Sequence, residues 1–240
     1  MTGALTDRVA RAKVRGETDT VERGRRGLLA LIAAEAQRGA TPGQIAKSVA
    51  TGAAASQIAR VGLGAQGTPT GLACQSGCAF CCILTGQDGG LITEYEARAL
   101  HAALAPLAGQ PDGRDWHPKA CPSLDPETRM CRAYDARPAL CRSYVSVDVA
   151  ACEAVAEGTP QPGPGTLGPY HAYLAAIAVS RVALKGTARV ATYALSKIAA
   201  AAVDGAGIED ALRAARHKTA ELDAEVKRSA RDTARAQGLP

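Results

Sequence analysis

The sequence predicts a mainly α protein, a helical bundle flanking a loop-rich segment that carries the cysteines. Three observations point there. Alanine supplies about one residue in five, and it costs no side-chain entropy in a helix. Aromatic residues make up only 3% of the chain, and strand-like runs of β-branched and aromatic residues are nearly absent. Helix start and stop signals, by contrast, recur along the chain.

Taken in order, residues near 20–38 read as a helix that ends at Gly39, a plausible C-cap. Thr41, Pro42 and Gln44 then set an N-cap, a proline at the first helical position and a capping box, which predicts a helix to about Arg60. VGLGAQGTPTG reads as a Gly-rich linker. Its G-x-G-x-x-G spacing from Gly62 to Gly67 follows a helix rather than a strand, so it is not expected to bind a dinucleotide. ILTGQDGGLI suits a short extended segment, and Thr93-x-x-Glu96 opens an amphipathic helix to about Leu104. Residues 105–135, rich in proline, read as irregular. Brief helices are expected over 135–143 and 148–156. A Pro/Gly connector, 157–169, leads to Ala-rich helices at about 170–184, 187–203 and 208–236. The expected organisation is an N-terminal helical segment 1–69, a cysteine module 70–157 and C-terminal helices 158–240, packed as one globular unit.

Several function classes fall away. The most apolar stretch, about 171–205, is interrupted by Arg181, Lys185, Arg189 and Lys197, so no membrane span is expected. MTGALTDRVARAKVRGE lacks an apolar export core, so the expected location is the cytoplasm, where thiols stay reduced. The net charge of +5 is uneven: residues 1–40 sum to +3, 41–180 to −2 and 181–240 to +4. The basic ends read as solvated helix faces of mixed charge. Nucleic acid is not an expected partner, because no aromatics interleave with the basic residues, whereas a protein or peptide partner is. There is no G-x-S-x-G elbow, H-E-x-x-H, Walker loop or EF-hand pattern. The acids Glu94/Glu96 and Glu209/Asp210 stand at helix starts, where they favour the dipole.

The chemistry lies in the thiols. Cysteines stand at Cys74, Cys78, Cys81, Cys82, Cys121, Cys131, Cys141 and Cys152, and the first four fall in CQSGCAFCC. Dense cysteine in irregular, proline-rich sequence suits metal ligation, since loops can turn several thiolates onto one centre. The adjacent Cys81 and Cys82 must diverge, so either one of them belongs to a second site or the centre is polynuclear. Eight thiols also exceed what one four-coordinate ion uses. Disulfides and mere packing are the weaker explanations for this cluster. Cys74, Cys78, Phe80 and Cys81 are similar to the C-x3-C-x-aromatic-C loop of radical S-adenosylmethionine enzymes. The βα-repeat barrel of that family is missing here, so only the local [4Fe–4S] geometry is favoured.

CQSGCAFCC, LITEYEARAL and CPSLDPETRMCRAYDARPALCRSY together resemble the YkgJ-type cysteine-cluster proteins, described as zinc- or iron-chelating, over about 70–145. The resemblance implies that Cys74, Cys78, Cys81, Cys82, Cys121, Cys131 and Cys141 are metal ligands. Cys152 lies outside that stretch and is an additional candidate. Similar modules fused to flagellin lysine methylases imply iron–sulfur binding. Among residues near the thiols, Arg132, Arg137 and Arg142 are candidates to donate hydrogen bonds to cluster sulfur, or else to pair with Asp125, Asp135 or Asp148. Tyr134 and Tyr144 are candidates to cover the site. His117 is a weak candidate ligand or proton carrier, while His101, His171 and His217 sit in helical segments. The expected cofactor is an iron–sulfur cluster of [4Fe–4S] type, in redox transfer or in modification of a protein or peptide. The alternative is zinc in a structural interaction module, and a third reading is a catalytic iron with an open position.

Overall fold

The computed structural model describes residues 2–14, 19–84, 86, 88–163 and 165–236. It is 60% helical, with twelve helices and only short strands, so the chain is mainly α. Along the chain run α1 (Thr2–Arg11), α2 (Asp19–Gln37), α3 (Pro42–Thr51), α4 (Ala53–Gln66), β1 (Leu91–Thr93), α5 (Glu94–Leu104), α6 (Gly113–Trp116) and α7 (Ala139–Ser143). They are followed by β2 (Tyr144–Val145), α8 (Val149–Ala156), β3 (Gly165–Thr166), α9 (Gly168–Ala183), β4 (Thr192–Ala194), α10 (Leu195–Val203), α11 (Ile208–Ala215) and α12 (Thr219–Ala236). Among the described residues no helix is long and apolar enough to cross a membrane.

The chain forms two units. The first takes in Met1–Gln66, Gly168–Thr192 and His217–Pro240. Its centre is α9, in which Tyr170, Tyr173, Leu174, Ile177 and Val179 are all buried and against which α1, α2, α4 and α12 pack. Small residues let these helices approach closely. A Cβ at Gly24 of α2 would stand 2.8 Å from both the Ala175 Cβ and the Ala176 backbone nitrogen. The buried Arg25 donates to the carbonyls of Val9 (3.1 Å) and Ala12 (2.6 Å), satisfying acceptors at the end of α1 that the helix itself leaves open.

The second unit takes in Gly67–Leu167 and Tyr193–Arg216 and holds every cysteine. In it α5 packs on α10 and α11. Thr93 and Glu96 form the predicted capping box at the start of α5. The other Glu96 oxygen accepts the Ala139 amide at 2.8 Å, tying this helix start to the start of α7. β2 and β3 pair antiparallel, Tyr144 opposite Thr166 and Val145 opposite Gly165. β1 pairs with β4.

Several elements differ from the sequence reading for local reasons. The capping box at Thr41 forms, but the helix expected to run to Arg60 breaks at Gly52, whose φ of 81° suits glycine. The next helix then runs on to Gln66, so Gly62 and Gly64 lie inside a helix rather than in a linker. The helix expected over 187–203 starts only at Leu195, because Thr192–Ala194 is drawn into strand pairing. The helix expected over 208–236 is interrupted where Arg216 bridges Tyr193. Thr85 and Gln87 of the expected extended segment, and Pro164 of the connector, lie outside the described residues.

Candidate metal centre

Local turns bring the thiols together. Gly77, at φ 76°, allows the tight turn in which the Cys78 amide donates to the Gln75 carbonyl. Cys81 and Cys82 follow on the 3-10 turn Phe80–Cys82. Ile83 then bridges Ala120, and the Cys121 amide donates to the Cys82 carbonyl at 2.8 Å, which fixes Cys82 beside Cys121. Cys131 bridges Leu124, closing a short loop. Cys82, Cys131 and Trp116 pack onto a small core of Ala79, Ala120 and Leu124. Cys141 arrives on α7, whose first residue Glu96 holds. On the other side, the Ala73 amide donates to the Ser146 carbonyl at 2.9 Å, and the Cys74 thiol stands 3.8 Å from the same oxygen. Two residues on, Asp148 caps α8, which carries Cys152 and packs against the 3-10 turn.

All eight cysteines are free. Cys121 and Cys152 are buried, Cys74 and Cys81 are exposed, and the other four are half-buried. Their mutual influence shows who neighbours whom. Burial pushes the Cys78 thiol up, and charges on Cys81, Cys152 and Cys74 would push it further. A hydrogen bond from Cys82 lowers Cys81 to about 7, helped by the Arg137 charge. Cys82, the donor in that bond and itself buried, is raised, with Cys121 and Cys141 among its neighbours. Burial also raises Cys121, Cys131 and Cys141. The hydroxyl and amide of Ser123 work against this at Cys121, and the charges of Arg137 and Arg132 work against it at Cys131. Burial raises the Tyr144 phenol, which has Cys152, Cys81 and Cys74 around it. Without metal, these thiols other than Cys81 therefore keep their protons near neutrality, and a bound metal must displace them.

The arginines divide by role. Arg137 lies near Cys81, Cys131 and Cys141 and stacks its guanidinium 3.7 Å from the centre of the Tyr134 ring. The Nε atoms of Arg137 and Arg132 are buried and find no acceptor among the described residues. Arg142 instead spends its fork on the carbonyls of Arg137, Tyr134 and Asp135, so it shapes the turn that presents Arg137. Tyr134 is 56% exposed and lies under Arg137, leaving Tyr144 as the tyrosine beside the thiols. Asp148 and Asp125 serve backbone amides, at the start of α8 and in the turn at Thr128. His117 accepts the Lys119 amide, His101 meets the Ala206 carbonyl and His171 meets Ser229. Sequence reasoning missed Ser123 and Ser146. The first has a signal, since a serine two residues after a cysteine can turn its hydroxyl back. The second acts through a carbonyl, which carries none.

The donor set suits a thiophilic ion or an iron–sulfur cluster: soft sulfur ligands, partly buried, with unmatched N–H donors beside them. Among the described residues no three His, Cys, Asp or Glu side chains are already gathered as a cage for one ion, so binding has to draw the thiols inward. Residues 73–159 match the CxxCxxCC family model, described as a "Putative zinc- or iron-chelating domain". This stretch of the chain is a domain of that family, and metal chelation is the activity the family description carries. No curated protein and no solved structure matches the chain.

Proposed function

We propose that the second unit is an iron–sulfur protein, its cysteines holding a cluster of [4Fe–4S] type for electron transfer or for cluster-dependent modification of a protein or peptide. The observation that carries the reading is the set of eight free thiols standing beside two buried guanidinium N–H donors, on Arg137 and Arg132, that the protein leaves without an acceptor. Thiolate and sulfide sulfur would accept from those donors, and the fixed positive charge would offset a multiply negative centre. When bound, such a cluster supplies one-electron exchange at a potential set by charge, hydrogen bonds and solvent exposure. The chain's own contribution is to hold the thiols, aim Arg137 through the Arg142-braced turn, and cover one side with Tyr144. The exposed Cys81 marks the side from which a protein or peptide partner in the cytoplasm would approach.

A specific observation favours a second reading, zinc in a structural module: the thiols around Cys81 differ from those around Cys82, as separate tetrahedral ions would require. Metal and acid-labile sulfide analysis with a visible spectrum, on protein purified without oxygen, separates the two. Iron with sulfide and a visible band bleached by dithionite is the expected result. Stoichiometric zinc in a colourless protein would replace the cluster by the structural module.

A further inference from the structure

We infer that the eight thiols serve two centres rather than one: an outer centre of Cys74, Cys78, Cys81 and Cys152, and an inner centre of Cys82, Cys121, Cys131 and Cys141. The division rests on the metal reading above and adds how the ligands are shared out.

The seam is the peptide bond between Cys81 and Cys82. On a 3-10 turn, successive side chains diverge by about 120°, so neighbours on that turn cannot both face one point. Cys82 faces inward. Its carbonyl takes the Cys121 amide at 2.8 Å, and it shares the Ala79, Ala120 and Leu124 core with Cys131. Cys141 joins them from α7, with Cys121 and Cys131 as its nearest thiol neighbours. The outer group is assembled from different elements. Cys74 is pinned at Ser146, just before the helix whose Cys152 packs against the 3-10 turn, and Cys78 leads into that turn from the Gly77 bend. Tyr144 lies among Cys152, Cys81 and Cys74.

Only Cys81 neighbours both groups, and counting ligands places it. Cys82 already completes four thiols on the inner side, so Cys81 completes four on the outer side. Four thiolates are a full set for a tetrahedral zinc and for a [4Fe–4S] cluster alike. Splitting a tight cysteine run between two centres is known chemistry: in two-cluster ferredoxins, the last cysteine of such a run ligates the other cluster. The two centres also differ in access. Both exposed cysteines, Cys74 and Cys81, fall in the outer group and neither in the inner one. The outer centre is therefore the exchangeable one.

The test is native mass spectrometry of the full chain purified without oxygen. Wild type should carry two centres, and the C74S/C78S and C131S/C141S variants one each. A chelator should strip wild type in two phases, and C74S/C78S should lack the fast one. If either pair of substitutions empties the chain while circular dichroism stays helical, the eight thiols form one centre and the division is wrong. Should C131S/C141S fail to fold, the wild type still decides through ¹¹³Cd NMR of the cadmium-loaded chain. Two thiolate-site resonances without cadmium–cadmium splitting support two centres, whereas mutual splitting means one thiolate-bridged cluster. A wild-type chain that takes up no iron, zinc or cadmium would overturn the metal reading itself, an outcome distinct from a single centre.

Discussion

The α2–α9 contact and the cysteine loops reach order by opposite means. In the first, alanine and glycine let two helices close until Gly24 sits against the backbone of Ala175 and Ala176. Regular hydrogen bonding and dispersion then suffice. In the second, the described backbone bonds are few and irregular, the apolar core is Ala79, Ala120 and Leu124, and thiols occupy positions that would otherwise go to larger apolar side chains. A helix pair of the first kind is complete when folded. Loops of the second kind are short of a packing partner until a metal supplies it.

Removing the metal should break the second region and spare the first, and this is the largest effect expected. Structural thiolate sites contribute on the order of 10 kcal/mol of folding free energy, far more than three small side chains can offer. Hydrogen exchange after chelation should show residues 73–159 losing protection, while amides of α2 and α9 keep theirs. Equal loss in both would mean that the metal does not hold the cysteine loops separately.

Gly24→Leu should do the reverse. Its side chain would enter space already filled by Ala175 and the backbone at Ala176, costing about 3 kcal/mol, at the upper end for overpacking. Thermal or denaturant unfolding should fall accordingly, with metal content per folded chain unchanged.

Glu96→Ala sharpens the comparison inside the second unit. It removes the acceptor of the Thr93 and Ala139 amides, and so the link between the start of α5 and the helix carrying Cys141. A loss of about 2 kcal/mol is expected for buried donors left unmatched, together with weaker metal retention. Stability lost without any change in metal retention would show that Cys141 is positioned by other contacts.

The smallest effect concerns a single proton. In the metal-free chain Cys81 ionises at about 7, against an ordinary 9.0, because Cys82 donates to it and Arg137 lies near. Its thiolate therefore accumulates as pH rises through about 7, and alkylation followed by peptide mass mapping should find Cys81 modified first. Arg137→Ala should move that midpoint upward by less than about one unit, since the charge assists a hydrogen bond rather than replacing it. An unchanged midpoint would show that the guanidinium does not act on this thiol.

Much of the helical half is legible in the chain itself. Thr41 with Gln44 and Thr93 with Glu96 cap their helices as the spacing predicts, because a capping box closes within three residues and needs no tertiary partner. The cysteine run CQSGCAFCC likewise announces metal chemistry, since no ordinary loop needs thiols at that density. Where the reading failed, a distant residue decided. Thr192–Ala194 read as helix by composition and became a strand because β1 offered it partners.

By itself, then, the sequence determined the helix starts, the mainly α class and the thiol chemistry, all of which depend on residue type and short-range spacing. Only the tertiary structure decided that Tyr193–Arg216 returns to the cysteine unit, and that Arg142 serves a turn while Arg137 serves the thiols. It alone gave Cys81 and Cys82 different neighbours. The physical reason is range: a cap is closed by neighbours along the chain, but a thiol's surroundings are set by whatever the fold brings from fifty or more residues away, as Ser146 is brought to Cys74.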